Sequence, residues 1–259
     1  MSHIDAERPI ILLTNDDGVN AKGIHALAEA VSGLAQIVVV APDGARSGQS
    51  GAITPNQVLR VMLQRTASNY WEYATTGTPV DCVKLALDNV LPRHPDLILS
   101  GINHGLNSGV SILYSGTMGA VLEGCVMQIP SIGFSLDSFS PDADFAPAQK
   151  FVRRLVKRVL SEGLPKCICL NVNIPKGDDI AGVRVVRQTS GCWTQEYTPR
   201  VDEQGRSGYW LGGSFHNREL EAEDTDEWAL SHGYISVVPC RVDMTAYDAL
   251  ESLKQIEEI

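Results

Sequence analysis

Short apolar runs alternate with helix-spaced apolar positions along the first half of the chain. Ile10–Leu13, Ile37–Val40, Asp96–Leu99 and Ile129–Phe134 are compact aliphatic or β-branched runs, the pattern of strands buried on both faces. Between them, Ile24, Leu27, Ala28 and Val31 recur at helical spacing, as do Val80, Val83, Leu87 and Val90, and a further helix is predicted from about Ser115 to Met127. In the second half the pattern predicts a helix over Ala146–Leu160, strands over Cys167–Val172, Val183–Val186 and Tyr234–Val238, and a closing helix over Ala246–Ile256. Gly191–Gly213, rich in glycine, aromatic and polar residues, reads as a protruding hairpin or loop. Buried strands separated by helices predict an α/β fold with a mostly parallel sheet covered by helices on both faces.

At about 150 residues per domain, 259 residues make one large domain or two small ones. No linker, repeat or low-complexity run divides the chain, so a single domain over residues 1–259 with a C-terminal elaboration is expected. Hydrophobic residues at 44% and charged residues at 20% exclude a disordered chain. The net charge of −10 argues against a broad nucleic-acid-binding face, though a small phosphorylated ligand can be met locally by a metal or a helix N-terminus. No stretch approaches the ~20 apolar residues of a membrane span. The opening MSHIDAERPI lacks the apolar core of a leader. The expectation is therefore a cytoplasmic protein without membrane or nucleic-acid partners. Cys82, Cys125, Cys167, Cys169, Cys192 and Cys240 form no CxxC pair, which reads as scattered buried thiols in a reducing compartment.

Three polar clusters fall just past predicted strands, where open α/β sheets bind their ligands. The first is Asn15-Asp16-Asp17-Gly18. Two adjacent carboxylates repel unless a cation lies between them, so Asp16 and Asp17 either hold a hard divalent ion or serve as a helix cap or turn. The second cluster, Arg46 to Gly51, follows Ala41-Pro42-Asp43; Ser47 offers a neutral oxygen, and Gly48 lets the backbone approach an anion, or the segment is an ordinary mobile loop. In the third, Asn103 offers an amide oxygen, and Ser115-Gly116-Thr117 opens a small-residue helix whose N-terminus suits a phosphate or whose serine is a simple cap. Together these elements suit metal-assisted hydrolysis of a phosphate ester. GxGxxG after Leu13, GxxxxGK[ST], HExxH and a DxD pair are all absent. His104 is the one histidine within these clusters.

The segments ILLTNDDGVNAKGI, VVVAPDGARSGQSGAIT, TTGTPVDCVKLAL, PDLILSGINHGLNSG, YSGTMGAVLEG and DTDEWALSHGYISVVP closely resemble the SurE survival-protein family of metal-dependent nucleotidases. The resemblance runs from about Ile10 to about Leu250. It implies a Rossmann-like core over about 8–175 and a C-terminal hairpin and helix extension over about 176–259 used in homodimers or homotetramers. It implies one divalent metal ion per subunit (Mg, Mn or Ca) held by Asp16, Asp17, Ser47 and Asn103, with Asp16 and Asp17 as the catalytic pair. Gly48, Asn107, Ser115, Gly116 and Thr117 match segments lining the family's phosphate pocket. Thr14 stands where many members have serine, and Val-Pro-Cys at Val238–Cys240 replaces a common Thr-Pro-Leu.

The activity so implied is hydrolysis of nucleoside 5′- or 3′-monophosphates by metal-activated water, since no side chain stands out as a covalent nucleophile. The alternatives are an exopolyphosphatase or other phosphomonoesterase, and a non-catalytic nucleotide-binding module. Basic residues along a groove would favour short polyphosphate, with Arg46, Lys84 and several later arginines as candidates. Trp193, Tyr197, Tyr209 and Trp210 either mark an assembly surface or pack on their own domain.

Overall fold

The two most apolar runs of the chain, β1 (Ile10–Thr14) and β2 (Gln36–Pro42), are wholly buried and lie side by side as parallel strands, connected by α1 (Lys22–Val31). The computed structural model describes residues 3–259; Met1 and Ser2, the start of the stretch read for a leader, lie outside them. A hairpin, β3 (Val61–Ala67) and β4 (Tyr70–Thr75), follows and sets β4 parallel to β2. Then come α2 (Pro79–Leu85), β5 (Leu97–His104), α3 (Gly116–Val126), β6 (Ser131–Leu136), α4 (Ala146–Glu162) and β7 (Cys169–Ile174). Short strands β8 (Gly182–Val185), β9 (Gly191–Thr194), β10 (Tyr197–Val201), β11 (Ser207–Leu211) and β12 (Ser214–Asn217) precede α5 (Asp226–Ser231), β13 (Tyr234–Cys240) and α6 (Leu250–Leu253).

Among the described residues nine strands form the main sheet, in the order β3-β4-β2-β1-β5-β6-β7-β13-β8. From β1 the chain builds outward through β2 and β4 on one side and through β5, β6 and β7 on the other, all parallel. The direction of winding therefore reverses between β1 and β5, and their carboxyl ends splay into a crevice. Alternate residues of each strand face opposite layers. Ile11, Leu13, Val39, Leu99 and Phe134 pack against Ile24 and Leu27 of α1 and Val152 and Val156 of α4. Ile10, Leu12, Val38 and Ile98 pack against Cys82 and Val83 of α2 and Ala120 of α3.

The expected α/β architecture is present, with several departures. The β3–β4 hairpin was not foreseen: β3 is exposed along nearly its whole length, so it lacks the apolar run of an interior strand, and it turns at Ser68-Asn69 with Asn69 left-handed (φ 58°). β5 runs past the apolar run to His104, because the polar residues after Leu99 stay paired with β6 across a bulge between Ser100 and Asn103. The predicted closing helix shrinks to α6 and a 3₁₀ turn, Lys254–Glu258; α6 buries no residue, and a short helix without a packed face has little to hold it. Part of the stretch read as a C-terminal extension completes the sheet instead, since β13 pairs antiparallel with β7 and carries β8 at its far side. The Gly191–Gly213 region is an arm of two successive ribbons, β9 with β12 and β10 with β11. All six cysteines are free, but only Cys82, Cys125 and Cys169 are buried and Cys167 is exposed.

Phe134 is fully buried at the centre of the larger core cluster. Phe134→Ala is expected to cost about 3–5 kcal/mol and to lower the melting temperature by roughly 10 °C, read by calorimetry or circular dichroism.

Candidate metal and phosphate site

β1 ends at Thr14, and the next four residues form a loop locked by Asn15. Its Oδ1 accepts from the Gly18 N–H (3.2 Å) and its Nδ2 donates to the Gly18 carbonyl (3.0 Å). Gly18 has φ +102°, a conformation closed to most other residues, and a Cβ there would approach the Gly44 carbonyl carbon to 3.1 Å. The loop presents Asp16 and Asp17 at the crevice. Neither carboxylate caps α1, whose N-cap is Ala21 with no side-chain bond. Asp16 is buried beneath the start of α3. Thr117 Oγ1 donates to Asp16 Oδ1 at 2.5 Å, and a Cβ on Gly116 would fall 2.8 Å from the Asp16 Cβ, so only glycine leaves room. Asp17 is half-buried and accepts from the His104 main-chain N–H at 3.4 Å. Burial pushes the Asp16 carboxyl up to about 6; the Thr117 hydroxyl opposes the shift and the Asp17 charge adds to it. Burial also raises Asp17, against the pull of His104.

Across the crevice, Asn103 follows the β5 bulge and precedes His104, whose N–H reaches Asp17. Its Nδ2 donates to the carbonyls of His104 (3.2 Å) and Gly105 (2.9 Å), which leaves Oδ1 without a donor among the described residues. Ser47 and Gly48 are exposed on the loop after β2. That loop is tied down at both ends. The Arg46 N–H donates to the Asp16 carbonyl (2.6 Å), and Ser50 donates through N–H and Oγ to the carbonyls of Tyr114 (3.2 Å) and Leu113 (2.6 Å). Two carboxylates, a free amide oxygen and a free hydroxyl are all-oxygen ligands, the set a hard divalent cation prefers. Among the described residues no three or more His, Cys, Asp and Glu side chains converge, so a cation here would depend on Asn103 and Ser47 as well as the aspartates.

The residues expected at a phosphate divide into two groups. Ser115 is the N-cap of α3, its Oγ accepting from the Met118 N–H (3.1 Å), and the Thr117 hydroxyl is committed to Asp16. What this turn offers an anion is the main-chain N–H groups of Gly116 and Thr117, which have no carbonyl partner within the helix. Asn107 is buried and turned inward: its N–H donates to Asn173 Oδ1, its Nδ2 to Ser135 Oγ, and its carbonyl accepts from Asn171 Nδ2, each at 2.8 Å. It braces the loop behind the crevice. The rest of that brace was missed in the sequence. Buried Asp226 at the start of α5 accepts from the Gly109 N–H (2.9 Å) and the Thr189 hydroxyl (2.6 Å), and Ser108 Oγ donates to Glu227 Oε1 (2.5 Å). The helix-start signature Thr225-Asp226-Glu227 was legible, but nothing local linked it to a loop over a hundred residues earlier. Of the cations considered for a polyphosphate groove, Arg46 pairs with Asp43 (3.0 Å) and Lys84 with Glu123 (2.6 Å). The His104 ring stands edge-on to Phe145, centroids 5.2 Å apart.

The chain is similar to known proteins along nearly its whole length. The family model described as survival protein SurE matches residues 11–195. The 5′-nucleotidase SurE of Phocaeicola vulgatus is 50% identical over 248 residues, covering 96% of both chains. That of Bacteroides thetaiotaomicron is 48% identical over 252 residues, again 96% of each. The crystal structure of the SurE protein from Aquifex aeolicus superposes with a TM-score of 0.82 at 38% identity, covering 96% of this chain and 100% of that one.

The raised Asp16 carboxyl carries a stability consequence in metal-free protein. Between pH 6 and 4 the folded state holds a proton there that the unfolded state does not, so stability rises as pH falls through this window. In EDTA at pH 7, Asp16→Asn is expected to gain about 2 kcal/mol and roughly 5 °C in melting temperature. The gap to the wild type should narrow as the pH approaches 4, which thermal melts across this range would reveal.

Proposed function

Since the chain belongs to the SurE survival-protein family, we propose that it is a divalent-metal-dependent 5′-nucleotidase that splits nucleoside monophosphates into nucleoside and inorganic phosphate. Relatives about half identical across nearly the full length of both chains carry the name 5′-nucleotidase, and this chain is a nucleotidase of that kind. What supports the metal-dependent reading is that Asp16, Asp17 and Asn103, whose Oδ1 accepts no hydrogen bond among the described residues, follow neighbouring strands at the β1/β5 crevice beside the N-terminus of α3.

Asp16, Asp17, Ser47 and Asn103 would hold one ion of Mg²⁺, Mn²⁺ or Ca²⁺ per subunit. When bound, the ion supplies Lewis-acid charge to the phosphoryl oxygens and lowers the pKa of water in the site. The N–H groups of Gly116 and Thr117 face the remaining phosphoryl oxygens and stabilise charge that grows in the transition state. Thr117 fixes one Asp16 oxygen, so that carboxylate serves as an anchor. Asp17 receives one long main-chain hydrogen bond and is more open, which leaves it lone pairs to orient the attacking water and accept its proton. Ser47 and Gly48 close the rim from the loop that Arg46 ties to Asp16. Arg46 and Lys84, each held by a carboxylate, lend polyphosphate little support as the main substrate. No helix of the described residues is long and apolar enough to cross a membrane, and six free thiols fit a reducing cytoplasm. The exposed aromatic and aliphatic side chains of the β10–β11 ribbon, Tyr197, Val201, Tyr209, Trp210 and Leu211, would pack a homodimer or homotetramer.

Phosphate release from nucleoside 5′- and 3′-monophosphates and short polyphosphate, in EDTA and with Mg²⁺, Mn²⁺ or Ca²⁺, tests the reaction. Release should require metal, favour 5′-nucleotides, and fall about 100-fold or more in folded Asp16→Asn protein. Activity undiminished by EDTA or by the substitution would overturn it. For assembly, Tyr209→Ser with Trp210→Ser should shift the protein to a smaller species in size-exclusion chromatography with light scattering.

A further inference from the structure

The loop after β6 passes beside the turn that follows β5 and reaches the start of α1. It leaves the sheet where the Asp137 N–H donates to the Ile174 carbonyl (2.9 Å). It is fastened on the far side by Lys22, at the start of α1, whose Nζ reaches the Pro141 carbonyl (2.6 Å) and the Asp142 carboxylate (3.0 Å). Between these anchors stands Phe139. Its side chain is 83% exposed, which is unusual for a phenylalanine and costs hydration free energy. The ring is nonetheless seated. It lies against Gly105, so closely that a Cβ there would fall 2.3 Å from Cε1 and 2.5 Å from Cζ. Gly105 is held by its N–H to the Leu136 carbonyl (2.9 Å), and its own carbonyl receives Asn103 Nδ2 (2.9 Å). The seat of the ring is thus hydrogen-bonded to the residue that offers its amide oxygen to the metal. Gly105 follows Asn103 by two residues, at most about 7 Å along an extended chain. A ring that rests on Gly105 and is otherwise open to solvent, one short turn from Asn103, is a stacking platform for a flat heterocycle.

We propose that Phe139 binds the base of the nucleotide by stacking, and so makes the enzyme prefer base-carrying esters over bare sugar phosphates. This inference rests on the nucleotidase reading and adds the residue that recognises the part of the substrate remote from the reaction. Phe139 lies outside the segments that carry the polar machinery, and it touches neither carboxylate. Its removal should therefore act on binding and leave the chemical step alone. Every base offers a π face, so the platform accepts all of them, with the larger purines gaining most.

The test is steady-state kinetics of the Mg²⁺-loaded wild type, Phe139→Ala and Phe139→Trp on adenosine 5′-monophosphate and on ribose 5-phosphate, which lacks the base. In Phe139→Ala the KM for adenosine 5′-monophosphate should rise about tenfold with kcat nearly unchanged, while both constants for ribose 5-phosphate stay within about twofold of wild type. Phe139→Trp should restore the wild-type KM or lower it. An unchanged KM for adenosine 5′-monophosphate in Phe139→Ala, or an equal rise for ribose 5-phosphate, would overturn the proposal. If the wild type hydrolyses neither ester, the nucleotidase reading falls separately, and calorimetry decides the stacking role. A roughly tenfold loss of affinity for adenosine 5′-monophosphate in Phe139→Ala supports it, and equal affinities refute it.

Discussion

Two adjacent carboxylates held at the end of a buried strand are the constraint on which the rest of this structure depends. Asp16 and Asp17 repel each other, and Asp16 is almost out of contact with water. Nothing about the stability of the fold calls for them there. The chain tolerates them by surrounding them with donors. Thr117 donates to one, the His104 main chain to the other, and Asn15 holds the loop that carries both. These donors come from three separate stretches of sequence, so the site exists only when β1, β5 and the start of α3 have come together.

That meeting depends on small residues in α3. The helix is built largely of glycine, alanine and short side chains, and lies tight against the sheet on one side and the Ser47 loop on the other. At Gly119 a Cβ would fall 2.3 Å from the Ser50 carbonyl oxygen, so the loop carrying Ser47 rests directly on the helix backbone. The same close approach brings the helix N-terminus over Asp16. The small residues of this helix thus define the distance between the carboxylates, the helix N-terminus and the loop. The far end of the chain supports this arrangement from behind. Asp226 and Glu227 hold the backbone and hydroxyl of the Ser108-Gly109 turn, next to the Asn107 brace.

The core of the fold was legible because parallel strands buried on both faces leave unbroken aliphatic runs. Ile10–Leu13, Ile37–Val40 and the helix between them stand where the pattern put them. The β3–β4 hairpin was not, since β3 lies at the sheet edge with its side chains in solvent. At the other end, helical spacing over Ala246–Ile256 overstated the closing helix, because spacing records a face and not whether anything packs on it.

The candidate site divides along the same line. By itself the sequence determined which atoms are on offer: the side-chain oxygens of Asp16, Asp17, Ser47 and Asn103 as candidate ligands, and a helix start at Ser115. Chemical identity is a property of each residue, and the loops bearing them follow strand ends that the apolar runs declare. Only the tertiary structure decided what each atom is free to do. Ser115-Gly116-Thr117 reads in sequence as a helix start that suits a phosphate or is simply capped by its serine, and in the fold Ser115 is the cap and Thr117 the donor that fixes Asp16. Asn107 is drawn inward by Asn171, Asn173 and Ser135, while Asn103 spends its amide N–H groups on two carbonyls and keeps its oxygen. A hydrogen bond uses up a lone pair or a proton, and its partners here lie from one to over a hundred residues away. Which groups remain available is settled by contacts that form on folding.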